Sequence, residues 1–259
     1  NGNEVWSWNP FDHYSLDDFD YLSQFWEFAS QSNDPFDWTH FNALAYDEEE
    51  NVVYASSKNL SRITKIDKST GDIIWNVGVP WLGDEVIIPD NSSEKLFSGQ
   101  HGLQLLENGN LVFLDNGILS GSFDGTNSSK SRAIEIKINE NNGDYSAEIE
   151  WEYTLNTDLY GVISGNVQKL DNGNYFITTI GSDDGAHSLE VTSAGEIIWQ
   201  VKYNVGSPQG AIYRAMKISQ LNKVEGCKNI NACNYNIDAT ISDNSCWYAS
   251  DGCECSNGE

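Results

Sequence analysis

A short strand-like segment that carries a tryptophan recurs four times along the chain. The four copies are GNEVWSW (residues 2–8), GDIIWNV (71–77), AEIEWEY (147–153) and GEIIWQV (195–201). Each begins at a polar turn and then alternates apolar with polar residues, which is the side-chain period of a half-buried β-strand. The repeat therefore predicts an all-β fold made from several copies of one unit.

Two further patterns precede three of these strands in a constant order. A strand–turn–strand unit comes first, and a third strand follows it. The strand pairs cover residues 42–57, 103–117 and 167–181, and the third strands cover residues 62–67, 132–138 and 188–192. Asn108-Gly109 and Asn172-Gly173 predict tight hairpin turns, because both residue types tolerate positive φ.

Four antiparallel strands that recur every ~40–50 residues are typical of β-propeller blades. A β-sandwich also alternates strands and turns, but the fixed internal order favours the propeller. The sequence holds three nearly complete four-stranded blades, and AIYRAMKIS after Gly210 predicts the start of a further strand. Closed propellers have about four to eight blades, so we expect an incomplete ring or one that takes a missing strand from elsewhere. The chain begins inside a predicted strand, which leads us to expect missing upstream sequence.

The formal net charge of −25 argues against two classes of partner. Nucleic-acid phosphates need clustered Lys and Arg, and the chain has only three arginines. No apolar run reaches the length of a transmembrane helix. We therefore expect neither nucleic-acid binding nor membrane insertion. We interpret the high negative charge as a feature that keeps an exported protein soluble. The alternative interpretation is that acidic loops bind cations.

All five cysteines lie after Asn222 in an Asn- and Asp-rich segment. We therefore predict two domains, a propeller over residues 1–222 and a small Cys-rich tail over residues 223–259. Clustered cysteines of this kind indicate a disulfide-stapled module of a secreted, periplasmic or cell-surface protein, and a zinc site is the weaker alternative. The odd count leaves one cysteine free or paired beyond the segment. Asp238 and Asp243 could offer oxygens to a structural Ca²⁺, although the EF-hand spacing is absent.

The placement of the four histidines predicts a site at the mouth of the propeller channel. His40 and His101 each directly precede the first strand of a blade, so they are expected to converge although they are distant in sequence. His187 precedes the third strand of the last full blade, and His13 follows the first tryptophan segment. Converging histidines suit a nucleophile, anion recognition or metal binding, whereas a single histidine is more often structural.

The segment DWTHFNALAYDEEENVVYASSKNLSRITKIDKSTGDIIW, with GQHGLQLLENGNLVFLDNG, SRAIEI and AIYRAMKIS, resembles the bacterial arylsulfotransferase family over residues 1–222. The resemblance implies a six-bladed propeller, of which this chain would hold a part. It also implies sulfuryl transfer from an aryl sulfate to a phenol through a sulfo-histidine, with no cofactor. The tail resembles a GC-x-x-x-x-ACNY repeat of secreted Bacteroidetes-type proteins of marine origin, which implies export.

The resemblance also assigns roles to individual residues. It implies catalytic roles for His40, His101, Asn116 and Arg132, with His187 as the candidate nucleophile and a loop histidine as its alternative. It implies substrate binding by Arg62 and Arg214, and His13 joins them through its position. Gly102 departs from the family pattern, which has Asp after this His, so an acidic partner for the imidazole must come from elsewhere. The alternative function is a non-catalytic secreted propeller that binds a ligand or a protein.

Overall fold

The computed structural model describes residues 3–22, 37–90, 96–181, 185–204, 212–218, 224–250 and 255. The chain divides into two compact units, Asn1–Met216 and Lys217–Glu259. The predicted domain boundary at Asn222 lies outside the described residues. No helix within the described ranges is long and apolar enough to cross a membrane.

The first unit contains three four-stranded antiparallel sheets, and each sheet is formed by four strands that are consecutive in the chain. The strands of blade 1 are β1 Phe41–Asp47, β2 Val52–Ser57, β3 Arg62–Asp67 and β4 Ile73–Gly78. Those of blade 2 are β5 His101–Leu105, β6 Leu111–Asp115, β7 Arg132–Asn141 and β8 Asp144–Thr154. Those of blade 3 are β9 Asn166–Lys169, β10 Tyr175–Thr179, β11 His187–Val191 and β12 Ile197–Lys202. The all-β fold of four-stranded units is therefore confirmed.

Helical structure in the described part of the chain is confined to short connections. The one α-helix described, α1, covers Ser120–Phe123 between β6 and β7. Two 3-10 helices cover Pro10–Asp12 and Thr157–Leu159. The second of them contributes Leu159 to the buried core between blades 2 and 3.

The tryptophans of the repeat occupy one register position in all three sheets. Trp75 pairs with Lys65, Trp151 with Glu135, and Trp199 with Glu190. In each sheet a register shift follows directly after this pair, because the fourth strand has one extra residue there, which is Ile74, Glu150 or Ile198. The repeated bulge shows that the sequence repeat is a repeat of backbone geometry, including its irregularities.

A second register position is repeated at the opposite end of the third strand. Its occupants are Arg62, Arg132 and His187, each the first residue of the third strand. They pair with Ser57, Asp115 and Thr179, respectively, each the last residue of the second strand.

Neighbouring blades are joined by an apolar core and by their first strands. One buried cluster combines blade 1 and blade 2 side chains, including Trp75 and Phe113, and a second combines blades 2 and 3, including Leu114 and Tyr175. Strand β5 contacts both β1 and β9. First strands that lie next to one another are the arrangement expected around a propeller channel.

Two of the repeated tryptophans contact a neighbouring part of the first unit through their rings and indole N–H groups. Trp151 stacks on Tyr175 of blade 3 at a centroid distance of 3.5 Å, and its Nε1 donates to the Ser193 carbonyl. Trp6 donates in the same way to the Lys68 carbonyl of the β3–β4 turn, so it docks on blade 1. Trp199 of blade 3 is 46% exposed, and within the described residues no further four-stranded sheet follows it.

Two predicted strands are absent from the described residues. Residues 3–8 form no strand, because they are held through the Nε1 atoms of Trp6 and Trp8, which donate to Lys68 and Gly71 carbonyls. Residues 212–218 also form no strand; their hydrogen bonds go to several blades instead of one neighbouring strand. Both strand predictions were wrong for this reason.

The second unit is cross-linked by two disulfides, Cys227–Cys246 and Cys233–Cys255. The two links interleave along the chain, and a short parallel pair joins β13 Glu225–Gly226 to β14 Ile241–Ser242. Disulfide stapling of the tail is therefore confirmed. Cys253 lies outside the described residues.

Candidate functional site

The antiparallel order places particular strand ends at one end of each sheet. The starts of the first and third strands lie beside the ends of the second and fourth strands. We call this end the rim. Six predicted site residues lie at the rim of their own blade: His40, Arg62, His101, Asn116, Arg132 and His187. The first-strand starts are close to one another, since Asn42 Nδ2 donates to the Gln100 carbonyl at 2.7 Å.

His101 opens β5 and is buried. Its Nδ1 lies 2.8 Å from Asn116 Oδ1 and 2.9 Å from the Gly99 carbonyl. Both neighbours are acceptors, so Nδ1 carries the proton and the lone pair of a neutral ring is on Nε2. Burial lowers the pKa of His101 to about 4, although the hydrogen bonds that His101 donates to Asn116 and Gly99 oppose the shift. His101 is therefore a neutral imidazole with a fixed tautomer at ordinary pH.

Asn116 is oriented by three further contacts. Its Nδ2 donates to the Gly161 carbonyl at 2.6 Å and to the Ser164 carbonyl at 3.0 Å. Because both amide hydrogens are used in this way, Oδ1 must face His101. The main-chain carbonyl of Asn116 accepts a bond from Ser131 Oγ at 2.9 Å. Asn116 thus fixes the His101 tautomer.

His40 lies just before β1, with a φ of 49°, and its side chain is 43% exposed. Its Nδ1 bonds to the Asp37 carboxylate. The charges of His40 and Lys58 both act to lower the pKa of His101, so the three groups are electrostatic neighbours. Asp37 is an acidic partner for an imidazole at the rim, but it serves His40, and His101 has an amide partner instead.

Lys58 is a rim residue that the sequence interpretation missed. It is buried, its main-chain N–H donates to the His40 carbonyl at 3.1 Å, and its Nζ donates to Asn59 Oδ1 at 3.0 Å. Burial lowers the pKa of Lys58, while the carboxylates of Asp37 and Asp20 act against the shift. Lys58 and Asn116 each directly follow the residue that pairs with the arginine of the third strand. That shared position was the available signal.

The two arginines of the third strands are buried in ion pairs. Arg62 binds Asp18 and Asp84, with a distance of 2.9 Å from Nη1 to Asp84 Oδ2. Although burial opposes it, Arg62 holds the pKa of Asp18 below its usual value. Arg132 binds Asp115 and Glu152, each at 2.9 Å. Both guanidinium groups are engaged by carboxylates, and their predicted direct roles stay predictions.

His187 occupies the register position of these arginines in blade 3. It is buried, and its Nδ1 lies 2.8 Å from the Gly185 carbonyl, which is the same contact that His101 makes with Gly99. The strand order β9–β10–β11 separates it from the first strand by two strand spacings, about 10 Å. His187 therefore shares the tautomer of His101 but lies further out along its blade.

The remaining predicted binding residues lie in two different places. Arg214 Nη2 donates to the Asn42 carbonyl at 2.9 Å, which brings this arginine to the rim. His13 stacks on Trp8 at 4.7 Å, and Trp8 Nε1 donates to Gly71 in the β3–β4 turn. That turn lies at the end of blade 1 opposite to the rim, so His13 packs away from the other predicted residues.

The acidic residues proposed for Ca²⁺ have local roles in the tail. Hydrogen bonds from the Ser245 hydroxyl and the Ser245 main-chain N–H, the latter at 2.9 Å from Asp243 Oδ1, lower the pKa of Asp243. Asp238 N donates to Asn236 Oδ1 at 3.0 Å. Within the described ranges, no three His, Cys, Asp or Glu side chains form a group that could hold a metal ion.

The blades and the rim together define an all-β protein with a buried neutral histidine and nearby cationic groups at the edge of its first strands. The family description Arylsulfotransferase (ASST) matches residues 1–232, and the chain belongs to this family. No curated protein matches the chain. Among solved structures, a protein of unknown function from Bacteroides caccae is similar, with 14% identity and a TM-score of 0.39. The match covers 64% of this chain and 47% of that protein, so the chain spans about half its length.

The buried environment of His101 leads to a pH prediction. Its imidazole is expected to titrate near pH 4, whereas an unperturbed histidine titrates near about 6.5. NMR titration of histidine-labelled protein, with the signal assigned by a His101→Gln variant, measures the midpoint. A midpoint at or above pH 6 would contradict the burial argument. Because the unfolded chain takes up this proton at a higher pH than the folded chain, the associated stability is lost as the pH falls from about 6.5 towards 4.

Proposed function

We propose that the chain transfers a sulfuryl group from an aryl sulfate to a phenol through a sulfo-histidine, and that His101 carries the group. The observation that carries this proposal is the fixed neutral tautomer of His101, in which Asn116 and Gly99 hold the Nδ1 proton and the lone pair is on Nε2. A buried imidazole that resists protonation remains a nucleophile at neutral and mildly acidic pH. Family membership supports the same reaction class.

The reaction occurs in two balanced steps. His101 Nε2 attacks the sulfur, an N–S bond forms, and the S–O bond to the aryl group breaks with the electron pair on the phenolate. The oxygen of an acceptor phenol then attacks the sulfur, and the N–S bond breaks with its electron pair returning to Nε2. The proton lost by the acceptor equals the proton gained by the first phenolate, so no co-reactant is consumed.

In this proposal, groups next to His101 stabilise the negative charge on the sulfuryl oxygens and transfer the phenol proton. His40, with Nδ1 bonded to Asp37, moves the proton between the two phenol oxygens through Nε2. Lys58, whose positive charge acts on His101, stabilises the sulfuryl oxygens. Arg132 acts through Asp115, which it binds and which directly precedes Asn116. Arg214 stands at the same rim as a cation for the sulfate.

His101 is preferred over His187 as the nucleophile because of its neighbours. His40 and Lys58 both act electrostatically on His101. The register equivalents of His187 are Arg62 and Arg132, which serve as buried ion-pair anchors. The shared Nδ1 contact makes His187 the informative control.

The proposal is tested with p-nitrophenyl sulfate as donor and phenol as acceptor. Nitrophenolate release is expected from the wild-type chain, to fall by about a thousandfold or more in His101→Ala, and to stay within about tenfold in His187→Ala. Mass spectrometry of rapidly quenched protein should find one added SO₃ on the peptide that contains His101. Loss of activity in His187→Ala with retention in His101→Ala would overturn the assignment.

Absence of nitrophenolate release from the wild type would favour the alternative, a non-catalytic propeller that binds a ligand or a protein. For location, we propose export to the periplasm, the cell surface or the medium. The support is the pair of tail disulfides, since such bonds persist in oxidising compartments.

A further inference from the structure

Residues 212–216 cross the rim and contact all three blades; we call this segment the strap. The Tyr213 carbonyl accepts from Gly165 N at 2.9 Å. The Asn166 side chain binds both polar groups of Ala215, with Nδ2 donating to the carbonyl at 2.9 Å and Oδ1 accepting from the N–H at 3.0 Å. Arg214 reaches Asn42 of blade 1. The strap is therefore anchored by its main chain on blade 3 and by a side chain on blade 1.

The strap brings one aromatic ring to His101 of blade 2. The Tyr213 ring stands edge-to-face with the His101 ring, at a centroid distance of 6.3 Å and an interplanar angle of 82°. The Arg214 guanidinium lies 5.5 Å from the centroid of the same ring. Tyr213 is 51% exposed. An exposed ring whose backbone is fixed by hydrogen bonds offers a ready surface for a second ring, because little side-chain freedom remains to be lost.

We propose that Tyr213 is the specificity-determining residue that binds the aromatic ring of the phenol or aryl sulfate. This inference rests on the proposed function for its substrate class. A sulfuryl group at His101 Nε2 has its aryl substituent within reach of Tyr213, since aromatic rings pair at centroid distances of about 4.5–7 Å. Arg214, 5.5 Å from the centroid of the same ring, provides a cation for the sulfate oxygens. Tyr213 thus selects an aromatic leaving group and acceptor over aliphatic ones.

The test measures binding apart from turnover. The dissociation constant of p-nitrophenol is measured by NMR titration for the wild type, Tyr213→Phe and Tyr213→Leu. Tyr213→Leu is expected to raise the dissociation constant about tenfold, whereas Tyr213→Phe keeps the ring and stays within about twofold. Tyr46→Leu, which removes a tyrosine of similar exposure on β1, should leave binding unchanged.

The strap should keep its position in these variants, because Tyr213 is anchored through its main-chain carbonyl. An unchanged dissociation constant in Tyr213→Leu would overturn the inference. The experiment distinguishes failure of this inference from failure of the proposed function. If p-nitrophenol binding depends on Tyr213 but the wild type releases no nitrophenolate, only the proposed reaction is refuted. Release that depends on His101, with no effect of Tyr213→Leu on binding or on KM, would refute only the role of Tyr213.

Discussion

Replacing Asp115 with alanine is expected to destabilise the first unit by about 3–5 kcal/mol, because it leaves the Arg132 charge in the interior without its main partner. Asp115 is fully buried, and its Oδ2 accepts from Arg132 Nε at 3.0 Å. Its Oδ1 accepts from the main-chain N–H groups of Ser98 at 2.9 Å and Gly117 at 2.8 Å. Arg132 is itself only 1% exposed, so water cannot replace the lost carboxylate.

The measurement is urea denaturation followed by tryptophan fluorescence. Glu152→Gln is the matched control, because Glu152 binds the same guanidinium at 2.9 Å but its side chain is 31% exposed. A loss below about 1 kcal/mol is expected for that exposed partner. Equal losses in the two variants would show that burial of Asp115 is not what makes its ion pair important.

Introducing an acidic residue after His101 with Gly102→Asp is expected to destabilise the chain by about 3 kcal/mol, and to do so without improving activity. Gly102 has a φ of +70°, which disfavours any residue with a Cβ. A Cβ at this position would also lie 2.5 Å from Asn166 Cβ and 2.7 Å from Asn166 Cα. The close approach of β5 to β9 therefore leaves no space for a side chain at position 102.

Gly109→Asp separates the two causes. Gly109 has a similar φ of +84°, but a Cβ there meets nothing within 4 Å. This control should lose only the backbone strain, about 1–2 kcal/mol. The two variants are compared by urea denaturation under identical conditions. If Gly102→Asp unfolds no more easily than Gly109→Asp, the contact with β9 is not limiting.

Much of the fold could be predicted from the sequence because its signals are local. Alternation of apolar residues, Asn-Gly turns and the recurring tryptophan were sufficient to place all twelve strands of blades 1–3. The same alternation failed for residues 3–8 and 212–218. A strand needs a neighbouring strand as well as a suitable pattern, and these segments make their hydrogen bonds elsewhere.

The candidate site was less predictable because its interactions join distant parts of the chain. The side-chain partners of His101 could not be read from a single sequence, since Asn116 is fifteen positions away and its orientation depends on Gly161 and Ser164. Lys58 lies in a turn of the sequence, and its burial beside charged groups is visible only in the structure. Tyr213 was overlooked because the segment that contains it was predicted to begin a further strand.

The repeated position at the start of the third strand has a consequence for how such a protein can diversify. The same backbone pairing supports arginine in two blades and histidine in the third. A duplicated blade can therefore exchange a charge-binding anchor for a titratable group by changing one codon, with the strand ladder left intact. Repetition in this architecture gives each copy an independently variable side chain at the same edge, and chemistry can diverge between copies while the scaffold stays constant.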